Sequence, residues 1–345
     1  MEELLHNLIS NLHGVPLAFV IIVSLAVLGK AADRLVDEAV TLSKRSGIPT
    51  VIVGATIVSL GTTAPEAAVS VFAALQGSPG LALGNAVGSI ICDTGLILGL
   101  ACILNPLPLD RGIVNRQGWI QIGAAVALVL GCFPWQNAPS VFLKGGQLPQ
   151  VVGIGFLVAL AVYLWLSIRW AKRTSLMTAQ EDLDDSKTLD SITSITLKLV
   201  GSLTLVVLSA QVLIPSVREV ATRIEIPQSI IAATLVAFGT SLPELVTAIT
   251  AARRGHGELA VGNVVGADIL NVLFVAGASA AATPMGLKAG GHFFLVLFPT
   301  MLFILLVFRV GIFFSGDSLK RPFGFVLLGS YGVYMIVSYL LPANG

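Results

Sequence analysis

Four acidic residues, Glu66, Asp93, Glu244 and Asp268, stand in stretches of sequence that are otherwise almost wholly apolar. If those stretches cross a bilayer, an aspartate near the middle costs about 2.5–3.5 kcal/mol even on lenient insertion scales. Four unpaired acids would then cost of order 10 kcal/mol, so they need cations, protons or internal partners. No Lys or Arg falls within the same stretches. Mobile cations are the natural counter-charge.

The neighbours of these acids suit that chemistry. In Gly61-Thr62-Thr63-Ala64-Pro65-Glu66 the proline removes a backbone donor, which is expected to free carbonyls around residues 59–61; Pro243 is expected to do the same around residues 237–239. Irregular backbone at membrane depth is tolerated only inside protein or beside an aqueous cavity. Thr62 lies four residues before Glu66, Thr240 four before Glu244, and Ser89 four before Asp93, so each pair shares a helix face. Carboxylates, hydroxyls and carbonyls together make an all-oxygen site, suited to hard cations such as calcium or sodium. The glycines at 84, 88, 262 and 266 would let helices approach closely, a packing signal by itself and a site signal only because it recurs beside acids in both halves.

The elements that must hold these residues follow from composition. Of the 345 residues 55% are hydrophobic and 11% charged, against roughly a quarter charged in soluble domains. Long apolar runs, among them 15–29, 119–133, 151–167, 199–214, 293–308 and 323–341, approach the roughly 20 residues needed to cross a bilayer. The basic residues sit at the ends of these runs, which speaks for topology and against nucleic-acid binding. Cys92, Cys102 and Cys132 form no metal or disulfide pattern and are expected to be packing residues. The first 14 residues carry Glu2 and Glu3 without Lys or Arg, so the first span is expected to stay in the protein.

Shifted by 178 residues without gaps, residues 48–99 align with 226–277, and 21 of 52 positions are identical. A match this long implies internal duplication. The expected architecture is all-α and polytopic: ten spans, about 15–44, 49–77, 80–104, 117–137 and 148–170, then 193–222, 227–254, 257–282, 289–310 and 322–341. The organisation is a first five-helix repeat over 1–175, an acidic linker over 176–192, and a second repeat over 193–345. Five is odd, so the second copy is inverted, the plan of many secondary transporters whose site lies at the repeat interface. On this layout twelve Lys and Arg lie on one side and four on the other, which puts the first side in the cytoplasm and both termini outside. The acids at 181–190 lack the glycine and spacing of an EF-hand and read as a solvated linker. Lys30, Asp33, Arg34, Asp37 and Glu38 read as an interfacial salt-bridge set, such as Arg34 with Glu38, and His6 and His13 as solvated.

At its repeated motifs the chain resembles the cation/calcium exchanger superfamily, in its prokaryotic sodium/calcium antiporter branch. The match is carried by Gly61-Thr62-Thr63-Ala64-Pro65-Glu66 with Gly84-Asn85-Ala86-Val87-Gly88-Ser89, and by Gly239-Thr240-Ser241-Leu242-Pro243-Glu244 with Gly262-Asn263-Val264-Val265-Gly266-Ala267. The resemblance implies a ten-helix antiporter with central ion sites and discontinuous helices, alternating access by sliding of the first and sixth helices, and sodium influx driving calcium efflux. It makes Glu66 and Glu244 the central calcium ligands. It gives Thr62, Thr63, Thr240 and Ser241 oxygens for sodium or calcium, with backbone carbonyls from Ser59 and Ala237. Gly88, Ser89, Asp93, Gly266 and Asn271 would complete the outer sites, and Asp268 is a further candidate ligand. Ala267 and Ile90 depart from the family's usual Gly-Ser-Asn, and the carboxylate and amide at Asp93 and Asn271 are exchanged between halves.

The leading expectation is thus calcium export in exchange for sodium, without a bound cofactor, in a prokaryotic plasma (inner) membrane. The alternative is exchange with protons, since buried carboxylates can alternate between protonated and calcium-bound forms. A passive cation channel would also need acids along its path, but the inverted repeat favours alternating access. An enzyme is not expected: the chain has no H-E-x-x-H or G-x-S-x-G, and none of its four histidines adjoins the acids.

Overall fold

A computed structural model describes residues 9, 12, 14–178, 191–224 and 239–340, with side chains placed only to residue 171 in the first long stretch. Ala237, the Ile226-Pro227 pair, His6, His13 and nearly all of the acidic linker lie outside the described residues.

The fold is all-α and polytopic. Its helices are α1 (Val15–Ser46), α2 (Thr50–Leu75), α3 (Pro79–Leu104), α4 (Arg111–Cys132), α5 (Gln150–Thr178), α6 (Ile192–Arg223), α7 (Leu242–Arg253), α8 (Gly257–Ala281), α9 (Phe293–Ser315) and α10 (Arg321–Leu340). Among the described residues nine of these are long and apolar enough to cross a membrane, α7 being the exception. Connecting loops carry four two- or three-residue strands: β1 (Leu107–Pro108), β2 (Gly146–Leu148), β3 (Leu287–Ala289) and β4 (Ser318–Leu319). β1 pairs antiparallel with β4 and β2 with β3, so each ladder joins the two halves of the sequence.

Three described spans differ from the sequence reading, and one of them is α5, which runs to Thr178 where 170 is expected. α4 begins at Arg111, because Asp110 caps it by accepting a hydrogen bond from the Ile113 amide at 3.1 Å. Arg116, expected in a loop, therefore sits inside a helix. α9 runs to Ser315 and starts after β3 has taken residues 287–289, so this span lies a few residues later than the expected 289–310.

Burial grades from centre to rim. α8 is almost entirely enclosed, and α3 mostly so, whereas α1, α5, α6 and α10 turn large apolar side chains such as Phe19, Val158, Leu208 and Phe325 outward. That outward apolar surface is what a lipid-facing ring requires. α1 and α6, each 32 residues long, pack along one another.

α8 lies against α2 at backbone distance. A Cβ on Gly266 would stand 2.5 Å from the Ala55 Cα, one on Gly54 would stand 2.8 Å from the Leu259 carbonyl oxygen, and one on Gly262 would collide with the Val51 carbonyl. Only hydrogen fits there, so the small-residue pattern of the second half is a true contact seam. Gly84 and Gly88 have no comparably close contact among the described residues.

Candidate functional site

The site is built where α2, α3, α7 and α8 converge, and three of these elements, α2, α3 and α8, are locally irregular. α2 contains a π-helical turn over Gly54–Val58, α3 one over Cys92–Ile97, and α8 one over Asn271–Ala276. Such turns commonly mark functional positions, because one extra residue per turn re-aims side chains and loosens carbonyls. Asp93 and Asn271 sit on the π turns of α3 and α8, at positions the 178-residue repeat matches.

The two prolines act differently from each other. α2 continues through Pro65, and its irregular turn comes earlier, at Gly54–Val58, so the expected break around residues 59–61 is displaced toward the start of the helix. The Ser59 carbonyl accepts a 3.3 Å bond from Thr62 Oγ1. Pro243 instead stands in the first turn of α7, where its missing amide hydrogen removes nothing the helix would use. Glu244, one residue on, occupies the first turn of α7, which favours negative charge.

Glu66, Asp93, Glu244, Asp268 and Asn271 are all within 1% of complete burial, as are Thr62, Thr63 and Ser241. The acids form one electrostatic group: Glu66 acts on both Glu244 and Asp93, and Asp93 on both Glu244 and Asp268. Thr63 Oγ1 donates to Glu244 Oε1 at 3.3 Å, and Asn271 Nδ2 donates to Asp93 Oδ2 at 3.4 Å. The Ser241 hydroxyl is buried with no hydrogen-bond partner among the described residues. Asp93 of the first half is thus met by a polar side chain of the second, and Glu244 of the second by one of the first.

Many of these oxygens have no hydrogen-bond donor among the described residues. Both carboxylate oxygens of Glu66 are buried without a partner, as are Glu244 Oε2, Asp93 Oδ1, Asn271 Oδ1 and Asp268 Oδ1. Buried unpaired carboxylate oxygens are strongly unfavourable unless a positive charge meets them. Among the described residues no three His, Cys, Asp or Glu side chains converge on one point, so an ion here would be held by carboxylates mixed with hydroxyl, amide and backbone oxygens. That composition suits hard cations.

Asp268 stands to one side. Its Oδ2 accepts from Thr94 Oγ1 on α3 and from Gln121 Nε2 on α4. Thr94 and Gln121 were not singled out by motif; the available signal was one glutamine in the apolar run 119–133. Asn85 was also missed as a linking residue: its amide donates to Ser70 Oγ at 2.9 Å and its carbonyl accepts from Thr240 Oγ1 at 3.3 Å. The matched Asn263 is fully buried, with neither amide atom paired among the described residues. Ser89 is buried, and Gly88 and Gly266 line their helices near it and Asp268.

At the far end of α1 the ion pairs are not those the spacing suggested. Asp37 and Asp33 both turn to Arg254, just beyond α7, at 2.6 and 3.7 Å. Arg254 lies within reach of α1 because α7 packs against that helix.

A family model described as sodium/calcium exchanger protein matches residues 16–169 and 194–340. The sodium/calcium exchanger MaX1 of Methanosarcina acetivorans is 30% identical over 351 residues, covering 93% of this chain and 98% of that protein. The inner membrane protein YrbG of Escherichia coli is 33% identical over 335 residues, covering 93% and 96%. Among solved structures, the sodium-calcium exchanger NCX_Mj soaked with 2.5 mM Na+ and 0.1 mM Ca2+ superimposes with a TM-score of 0.77 at 23% identity, covering 96% of this chain and 99% of that one.

Proposed function

The chain belongs to the sodium/calcium exchanger protein family and is an integral membrane cation antiporter, and on that premise we propose that it exports calcium in exchange for sodium by alternating access. The observation that carries this reading is the set of unpaired, buried oxygens on Glu66, Glu244 and Asp93, drawn from both halves of the chain. Three carboxylates balance one calcium with charge to spare, or several sodium ions. A site that must bind either load in turn needs that excess, and needs oxygens not committed to protein donors.

In this reading Glu66 and Glu244 are the central ligands. Thr62, Thr63, Thr240, Ser241 and Ser89 contribute hydroxyl or carbonyl oxygens, and Ser59 and Ala237 contribute backbone carbonyls. Asp93 and Asn271 form the outer site, with Gly88 and Gly266 providing the close backbone. Asp268 is a flanking acid: anchored by Thr94 and Gln121, it adds negative potential beside Asp93.

Ten spans in two inverted halves are supported by the strand ladders. β1 and β4 hydrogen-bond, so their loops share one end of the molecule. Five long spans, α4, α5, α6, α8 and α9, lie between them in sequence. An odd number would separate the strands, so the segment holding α7 supplies the sixth crossing. The strand after α3 pairs with the strand after α9, and the strand after α4 with that after α8. This exchange of third and fourth connections is what opposite orientation of the halves requires. The repeats are 1–175 and 193–345, joined on the cytoplasmic side, with both termini outside the plasma (inner) membrane.

Protons are the second reading, because nothing about a buried carboxylate restricts its partner to metal ions. Calcium uptake into proteoliposomes under an imposed sodium gradient, compared with an imposed pH gradient, separates the two. Uptake that follows the sodium gradient is expected. Uptake that follows only the pH gradient contradicts sodium coupling while leaving antiport intact.

A further inference from the structure

We propose that Tyr163, on α5, is a positioning residue for the ion site: its hydroxyl holds the Ala55 carbonyl in the π turn of α2 and so sets how Ser59, Thr62, Thr63 and Glu66 are aimed. The inference rests on the ion site proposed above and adds to it a residue that touches no ion.

The π turn creates the need for such a residue. In an α-helix the Ser59 amide would bond the carbonyl four residues back, at Ala55. Here it bonds the Gly54 and Thr56 carbonyls instead and passes Ala55 over. Ala55 is fully buried, and a buried carbonyl left without a donor costs the fold the desolvation of that group. The Tyr163 hydroxyl donates to this oxygen at 3.2 Å.

The same carbonyl is enclosed from a second side. A Cβ on Gly266 of α8 would stand 2.5 Å from the Ala55 oxygen and 2.6 Å from Ser59 Oγ, so α5 and α8 both bear on the turn that leads into Ser59. Tyr163 is itself firmly seated. Gly153, Phe156 and Tyr163 follow one another at spacings of three and seven and so share a face of α5. At Gly153 that face meets α8 at backbone distance, for a Cβ there would stand 2.8 Å from the Gly277 carbonyl oxygen. Phe156 and Tyr163 are buried, whereas Val158 and Val162 point outward.

A π turn holds one residue that an α-helix would not accommodate, and shifting it along the chain re-aims each residue it passes by about 100°. Ser59, at the end of the turn, would move first. The hydroxyl that pins Ala55 therefore fixes the register in which the ligands of α2 are presented.

Tyr163 has a second neighbour. Its hydroxyl lies 3.0 Å from Gln117 Oε1 on α4, and Gln117 is also buried. A tyrosine hydroxyl has one hydrogen to give, so serving Gln117 alone would make Tyr163 a packing residue between α4 and α5.

The test is equilibrium exchange of radioactive calcium for calcium in proteoliposomes of the full chain, which needs neither a sodium nor a proton gradient. Tyr163→Phe is expected to raise the calcium half-saturation about two- to tenfold, the range of one hydrogen bond's net contribution, with the maximal rate per folded protein changed less. Adding Gln117→Leu should leave that shift in place, because Ala55 still lacks its donor. Tyr339→Phe, on the exposed end of α10, should match wild type. A half-saturation unchanged in Tyr163→Phe overturns the proposal, as does one restored to the wild-type value in the double variant, which would show that the hydroxyl serves Gln117 alone. The double variant buries one unpaired oxygen fewer, so it still reports if Tyr163→Phe alone fails to fold. Absence of calcium exchange in wild type would overturn the ion site itself and this inference with it, an outcome read without any variant.

Discussion

Asn271 donates its side-chain amide to the Asp93 carboxylate across 3.4 Å, and these are the same position of the two sequence repeats. Two residues related by an internal repeat can touch only near the axis relating the halves. With the halves inverted as proposed, the contact would put that axis between the π turns of α3 and α8.

Moving the carboxylate across this contact should be tolerated better than removing or duplicating it. Asp93→Asn is expected to weaken cation binding, and Asn271→Asp to add like-charge repulsion. The double variant should recover much of the loss, with a coupling energy of about 0.5–3 kcal/mol. Calcium half-saturation in vesicles measures all four forms. Strict additivity would show that the pair does not share a load.

Thr63→Val should raise the calcium half-saturation by about ten- to a hundredfold, since a hydrogen bond to a charged acceptor contributes about 1.5–3 kcal/mol. Thr63 Oγ1 is the donor that steadies Glu244 Oε1. Thr63→Ser keeps the hydroxyl and should restore most of the affinity. Unchanged affinity in the valine variant would count against a hydroxyl role.

Gly266→Ala should destabilise the fold by about 1–3 kcal/mol, the usual cost of overpacking. The added methyl would meet Ala55 Cα at 2.5 Å and Ser59 Oγ at 2.6 Å. Gly123→Ala, where nothing lies within 4 Å, is the control. Thermal unfolding in detergent distinguishes them, and equal melting temperatures would contradict the α2–α8 seam.

Asp268→Asn should reduce apparent sodium and calcium affinity without abolishing exchange. Its Oδ2 is already held by Thr94 and Gln121, so it acts on the central ions through charge more than contact. Gln121→Leu should have a similar, smaller effect. Complete loss of exchange in Asp268→Asn would instead make it a central ligand.

The helical class, most span limits and the pairing of Glu66 with Glu244 were legible because they rest on apolar run length and on a repeat that preserves Pro65-Glu66 and Pro243-Glu244. The start of α4 was misread because polar residues at 115–117 look like a loop, while Gln117 is buried and Arg116 stacks on Trp170. The position of the α2 irregularity was misread because a π turn has no proline to announce it. Gln121 and Thr94 were invisible because their role depends on α4 crossing α8, a tertiary fact with no local spacing. Arg254 likewise joins Asp33 and Asp37 from more than 200 positions away, which helical periodicity cannot reach.

Transport by Glu66→Gln and Glu244→Gln tests the central assignment most directly, in proteoliposomes under separate sodium and proton gradients. Each variant is expected to lose sodium-driven calcium uptake while remaining folded and membrane-inserted, since the amide keeps the shape and removes the charge. Calcium exchange retained in both would contradict the assignment of the ion site to these two residues.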